Sequence, residues 1–311
     1  MSVFTSTRKF AAAAAALLAA VSLAAAQETL SSLREQAFRS FGEGEFAEAL
    51  PYFEQIIEIQ GSSTDPMVVS AMERVYYNAA LCKFFTGSFG PAKTAFERYN
   101  AKYKRGIFLH ESFVYIADAL RYSNKPREAI AQYQVALKRF RYPTDLRTDI
   151  YANIARCHLQ LDDWKSAIDP LRRAMASAPD ALRRNRAATL LATAFLKTLD
   201  LDEIYRIVPF LLTRDSLASR SVAFNIAALE AGDVLFADER YREAFWVHRL
   251  VYPYEDVIAN AQAYLDRLNA MVAASSRYAA RPRYLMRLHE WIADTEAEIQ
   301  AMRENVENYD D

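Results

Sequence analysis

Four histidines, two cysteines and a few acid pairs are the side chains here that could do chemistry, and their spacing argues against it. His110, His158, His248 and His289 are scattered, and none has a second His or Cys three or four residues away. Metal ligands on a helix need that spacing to share one face. His158 adjoins Cys157, but neighbours on a helix point about 100° apart and cannot chelate one ion. The pairs Asp162–Asp163 and Asp310–Asp311 fall in a turn and at the terminus, where solvated carboxylates are the expectation. The chain has no glycine-rich phosphate loop, no "HExxH", no paired "CxxC" and no "GxSxG". The residues therefore predict no catalytic group, no metal and no cofactor.

With chemistry absent, the elements carry the information. The 311 residues are 52% hydrophobic and 25% charged, with only 7 glycines. So few glycines leave few hairpin turns, and the reading is all-α. The first 26 residues differ from the rest. Arg8 and Lys9 precede the apolar run Phe10–Leu23, and Ala24 and Ala26 stand before polar "QETL". That order predicts a secretory signal peptide cleaved between Ala26 and Gln27. A run of about 14 residues is shorter than the roughly 20 that span a bilayer. No cysteine follows it to take a lipid, and no later run is long enough to span. The alanine-rich style suggests a bacterial protein bound for the periplasm or exterior. Cleavage removes two of 38 basic residues against 39 acidic ones. The mature chain is slightly acidic, with no electrostatic footprint for nucleic acid.

Beyond residue 28 one frame recurs. A helix-sized block carries a small residue near its middle, a turn follows, then an aromatic, an Ala three residues on, and a bulky apolar four further. Residues 151–179 show it fully, as Tyr151, Ile154, Ala155, Trp164, Ala167, Leu171, Ala174 and Pro179. It returns as Tyr76, Ala79, Ala80, Gly87, Phe89, Ala92, Phe96 and Tyr99. Shorter matches are Leu33, Ala37, Gly44, Phe46, Ala49 and Phe53; Phe113, Ile116, Ala117, Ala129, Tyr133 and Ala136; and Gly232, Tyr241 and Ala244. A worn copy keeps Leu191 and Ala192 but has Ile204 where the second Ala belongs. The step is about 40 residues, the signature of a helical-pair repeat that buries its apolar face only by stacking. Small residues such as Ala155 and Ala167 let the two helices of a pair cross closely; Trp164 and Leu171 fill the groove toward the next pair. Cys82 and Cys157 occupy the same repeat position two repeats apart, too far for a disulfide. Two free, packed thiols are expected.

This pattern resembles the tetratricopeptide repeat, over roughly residues 29–252. The resemblance implies a right-handed superhelical solenoid of about six helix pairs whose first helices line a concave groove. It also implies that the groove holds a protein or extended peptide. Carried onto this chain, the groove positions are Arg74, Tyr77, Asn78 and Leu81 in the second repeat; Tyr115, Asp118 and Arg121 in the third; and Asp149, Asn153 and Arg156 in the fourth. Asn78 and Asn153 hold equivalent places, where an amide can bond a peptide backbone or a neighbouring helix. The mixed charge, with Asp118 and Asp149 among arginines, does not match the basic clamp by which some members hold a C-terminal carboxylate. The run Arg172, Arg173, Arg183, Arg184, Arg186 reads first as a solvated turn, with an acidic partner as the functional alternative.

Residues 253–311 leave the frame. Two seams follow at 3,4 spacing: Ile258, Ala261, Leu265, Leu268, Val272, then Leu285, Leu288, Ile292, Thr295, Ile299, Met302, Val306. They predict two long helices joined by a turn near Ser275–Pro282, folding as a hairpin that caps the solenoid, with pairing to a second chain as the alternative. The domain reading is 1–26 signal peptide, 27–252 solenoid and 253–311 helical hairpin. Together these readings predict a non-enzymatic interaction scaffold of the bacterial envelope; a glycan- or small-polymer-binding protein is the alternative.

Overall fold

A computed structural model describes residues 29–213, 221–275 and 282–307. The segment expected to be a signal peptide and the turn expected near Ser275–Pro282 lie largely outside the described residues. All the regular structure among the described residues is helical. The chain divides into two compact units meeting at Leu109–His110.

The first unit contains α1 (29–43), α2 (Phe46–Gln60), α3 (Pro66–Phe85) and α4 (Phe89–Lys102). Its core joins Ala37 of α1 to Ala49, Phe53 and Ile56 of α2 and to Met72, Val75, Ala79 and Cys82 of α3. Residues 61–65, "GSSTD", form the loop into α3. Asp65 caps that helix by accepting from the Met67 amide at 2.8 Å, and Pro66 opens it where no amide donor is needed. Two turns into α3, Glu73 accepts from Tyr99 Oη and from the Ile107 amide, each at 2.7 Å, pinning the loop after α4.

The second unit runs α5 (Leu109–Tyr122), α6 (Pro126–Arg139), α7 (Thr144–Gln160), α8 (Trp164–Ser177), α9 (Ala181–Lys197), α10 (Leu201–Thr213), α11 (Val222–Ala237), α12 (Tyr241–His248), α13 (Tyr254–Ser275) and α14 (Pro282–Glu307). From α6 onward α7 packs on α6 and α8, α9 on α8, α10 and α11, and α11 on α12. One core carries Ala155, Ala167, Leu171, Ala188, Leu191, Phe195, Ile204, Phe224, Leu235 and Val247 through these repeats. Trp164 packs against it, as the repeat frame requires.

The backbone repeats as the side chains do. Gly44, Gly87, Asn124, Asp162, Leu199 and Glu239 all have positive φ, between 55° and 84°. Each stands two residues before the second helix of its pair. Glycine takes that conformation freely; Asn and Asp tolerate it, and Leu199 and Glu239 are forced into it. Small residues meet twelve positions apart across each such turn: Ala37 and Ala49, Ala80 and Ala92, Ala117 and Ala129, Ala155 and Ala167, all without exposed surface. In the worn fifth copy Ile204 takes the second place, also fully buried, and α9 offers Ala188 and Ala192 to the same core. In the sixth a methyl on Gly232 would stand 2.2 Å from the His248 ring, so the glycine leaves room for that ring against α11. Cys82 and Cys157 are free and buried, and burial pushes both thiols up to about 12.

Candidate functional site

The groove positions of the third and fourth repeats come together on one face of the second unit. Tyr115, Asp118 and Arg121 lie along α5, and Asp149, Asn153 and Arg156 along α7, because residues three and four apart share a helix face. Arg183 and Arg186 continue the face on α9. This face is covered. The last helix, α14, lies across it and pairs with it charge for charge.

On α14 the charged residues Arg283, Arg287, Glu290 and Asp294 are spaced 4, 3 and 4, so they form one stripe. Arg283 reaches Asp118, and its guanidinium stands 4.7 Å over the Tyr115 ring. Arg287 reaches Asp149. Glu290 accepts from Arg121 at 2.7 Å, with Arg156 at 4.0 Å. Asp294 receives Arg156 at 2.5 Å and Arg186 at 2.6 Å. Arg186 also lies 5.0 Å over the Trp291 ring. The basic end of the stripe thus meets the acids of α5 and α7, and its acidic part meets arginines of α5, α7 and α9.

The inner face is itself pre-arranged. Asp118 accepts from Tyr133 Oη of α6 and from Asn153 Nδ2 at 3.0 Å. Asn153 therefore bonds a neighbouring helix, the second of the two roles its amide could play. Asp149 is held by Arg183 Nε at 3.4 Å as well as by Arg287. Burial, the largest influence on Asp149, outweighs Arg287, Arg183 and Arg283 and raises its carboxyl above the ordinary range. Burial also pushes the Glu290 carboxyl up. There Arg121 and Arg156, with hydrogen bonds from Tyr122 and Arg121, more than reverse it and hold the group low. A cavity of about 40 Å³ remains between α7, α8, α9 and α14, lined by Asp149, Asn153, Arg183, Arg186, Arg287 and Glu290. It has room for water. Arg121 Nε and Arg287 Nη1 are buried with no hydrogen-bond partner among the described residues.

The apolar side of α14 points elsewhere. Leu288 and Trp291 share a core with Tyr264 and Leu268 of α13. Ile299 joins Ala261 and Leu265 of the same helix. The repeats contribute Leu182 from α9 to the first of these clusters, and Val222 and Ile226 of α11 pack with Val257 of α13 and Met302 of α14 in a third. Thr295, polar in the seam, is satisfied by its own helix, donating to the Trp291 carbonyl at 2.7 Å.

Two expectations need correction here. The hairpin of α13 and α14 exists, but α14 lies along the inner face instead of only closing the end of the stack, and its stripe of Arg283, Arg287, Glu290 and Asp294 faces protein. In the basic run, Arg172 and Arg173 are surface residues paired with Glu203 and Asp169, whereas Arg183 and Arg186 turn inward. Asp162 and Asp163 shape a turn: Asp162 accepts from Trp164 Nε1 at 2.7 Å, and Asp163 caps α8 through the Ser166 amide. In the first unit, Tyr77 stacks on Phe108 with ring centroids 4.3 Å apart. Asn78 and Leu81 are buried there, and Arg74 is exposed. The sequence reading missed Arg283, Arg287, Glu290 and Asp294. Their 4, 3, 4 spacing was visible, but nothing in it says which surface the stripe meets.

Among the described residues no group of three or more His, Cys, Asp or Glu could hold a metal ion, and no helix is long and apolar enough to cross a membrane. No protein-family model and no curated protein matches the sequence. Solved structures do. The C-terminal part of a tetratricopeptide repeat protein from Cytophaga hutchinsonii aligns with 87% of this chain and 95% of its own, at 19% identity and a TM-score of 0.50. A tetratricopeptide repeat protein from Parabacteroides merdae aligns over 86% of this chain and 99% of its own, at 13% identity and a TM-score of 0.48. The fold is that of the tetratricopeptide repeat proteins, an all-α helical-repeat solenoid.

Proposed function

We propose that this protein is a non-enzymatic interaction scaffold, exported to the bacterial cell envelope, that holds a protein segment on the inner face of its second unit. One observation carries the reading: that face already receives a helix, α14, through side chains matched to it in charge. A solenoid offers such a face because each repeat presents its first helix to the same side. The groups presented are guanidinium and carboxylate, which recognise the charged side chains of a protein better than the hydroxyls of a glycan. Crosslinking in intact cells from a photoreactive residue at Ala152, beside Asn153 and Arg156, tests it. A specific protein crosslinked there is the expected outcome. A surface that captures only oligosaccharide, or nothing while the protein remains folded, would reject the reading. The export half rests on Arg8, Lys9, the apolar run and Ala24–Ala26, and is tested by the mass of the mature chain.

A further inference from the structure

α14 divides its two faces between different neighbours. Its apolar seam is satisfied mainly by α13, while its contact with the inner faces of α5, α7 and α9 is, apart from Leu182 and Arg186 against the cluster of Leu288 and Trp291, a row of ion pairs. That division matters, because an obligate contact between elements resembles a core cut in half, whereas a separable one is polar and partly wet. Charge pairs taken partly out of water add little net stability, since desolvation offsets attraction, but they discriminate strongly against a wrong partner. Arg121 Nε and Arg287 Nη1, without a partner among the described residues, and the small polar cavity mark a contact that is not fully closed. The hairpin of α13 and α14 carries its own clusters, Tyr264–Leu268–Leu288–Trp291 and Ala261–Leu265–Ile299, so Leu288, Trp291 and Ile299 need not be re-exposed when the stripe lets go.

We infer that α14 is a tethered occupant of the binding face, displaced by a partner helix that carries the same order of charge: two basic residues one turn apart, then acidic residues three and seven positions after the second. The inference rests on the scaffold reading of this face and specifies what the face takes. The inner residues define the order. Asp118 and Asp149 lie under the basic end, and Arg121, Arg156 and Arg186 lie under the acidic end, so a helix laid in reverse would set like charges together. A tethered helix acts at an effective concentration of the order of mM for a short connection. A free helix of equal quality therefore binds weakly until α14 is loosened, and its apparent affinity falls with the fraction of molecules in which the face is open.

The test uses the full chain and a helix-stabilised, fluorescent peptide of residues 282–304. Arg283→Glu with Arg287→Glu in the chain loosens α14 without touching the repeats. The peptide should bind this variant at least tenfold more tightly than the wild type, and a peptide bearing the same two changes should not bind. A variant that melts cooperatively, keeps its helix content and binds the peptide no better overturns the inference. Should the variant fail to fold, hydrogen exchange on the wild-type chain decides: α14 amides, held mainly by α13 once the stripe lets go, should exchange faster than those of α7 and α9. Exchange of all three only together overturns it. A dimer of the wild type abolished by the same two changes would make a second copy the occupant, and equally overturns the displacement by a foreign helix. A cellular partner that crosslinks at Ala152 and binds wild type and variant alike would sink the inference and leave the scaffold reading standing.

Discussion

Ala155 and Ala167 show how single residues set this architecture. Both are fully buried where α7 crosses α8, so there is no room for bulk at either position. Ala167→Leu should overpack the crossing and lower stability by about 1–3 kcal/mol. Arg172→Ala, which removes a half-exposed partner of Glu203, should change it by no more than about 0.5 kcal/mol. Denaturant melts of the two variants should separate clearly, and equal losses would mean the helix crossing lies elsewhere. The turns give a second residue-level expectation. Glu239 is exposed and has a φ of 61°, a conformation that costs a side-chain-bearing residue about 1–2 kcal/mol. Glu239→Gly should therefore stabilise by up to about 1 kcal/mol, net of glycine's greater freedom when unfolded. Glu243→Gly, inside α12, should destabilise by about 1 kcal/mol. If both glycines destabilise alike in thermal melts, the turn conformation is not as described.

At the scale of elements, α14 is where sequence and structure part. Its length, its seam and its pairing with α13 follow from the 3,4 spacing of Leu288, Ile292, Thr295, Ile299 and Met302. Its docking does not, since a helix charged on one side is stable in water or against an opposite charge pattern. Glu290 gives this docking a pH dependence. Its carboxyl sits lower in the folded chain than its ordinary value near 4.5. The stability it contributes is thus fully present above about pH 4.5 and is lost as pH falls through the depressed value. Asp149, raised in the fold, runs the other way: its charged form is a cost that acid relieves. Comparing wild type with Glu290→Gln isolates the first effect. The variant should be about 1.5–3 kcal/mol less stable at pH 7 and should lose less on moving from pH 5 to pH 3. Parallel stability curves over that range would show that Glu290 is not held by Arg121 and Arg156. Truncation after Ser275 should expose Tyr264, Leu265 and Leu268 and lower solubility. A well-behaved monomer from that truncation, with a dimer from the full chain, would instead mean that α14 serves another copy.

For the molecule as a whole, the envelope reading makes one sharp expectation: protein recovered from the envelope fraction should have the mass of a chain beginning at Gln27. Retention of Met1, or a purely cytosolic location, would reject it. The helix pairs and their register were legible in the chain because they are local. A positive-φ turn, a small residue on either side of it and an aromatic after it lie within about 20 residues of one another, and stacking repeats them. Even the worn fifth copy keeps the register, with Leu199 in the turn and Ile204 in the crossing. The resemblance to the tetratricopeptide repeat pointed to Tyr115, Asp118, Arg121, Asp149, Asn153 and Arg156 as residues of one face, and they do share one. What covers that face was not legible in the chain. Asp118 and Arg283 are 165 residues apart, and Arg121 and Glu290 169. A charge in sequence has a sign and a helix face but no address, because solvent satisfies it as well as a partner does. Only the tertiary structure, by turning α14 inward over α5, α7 and α9, decides which charges meet.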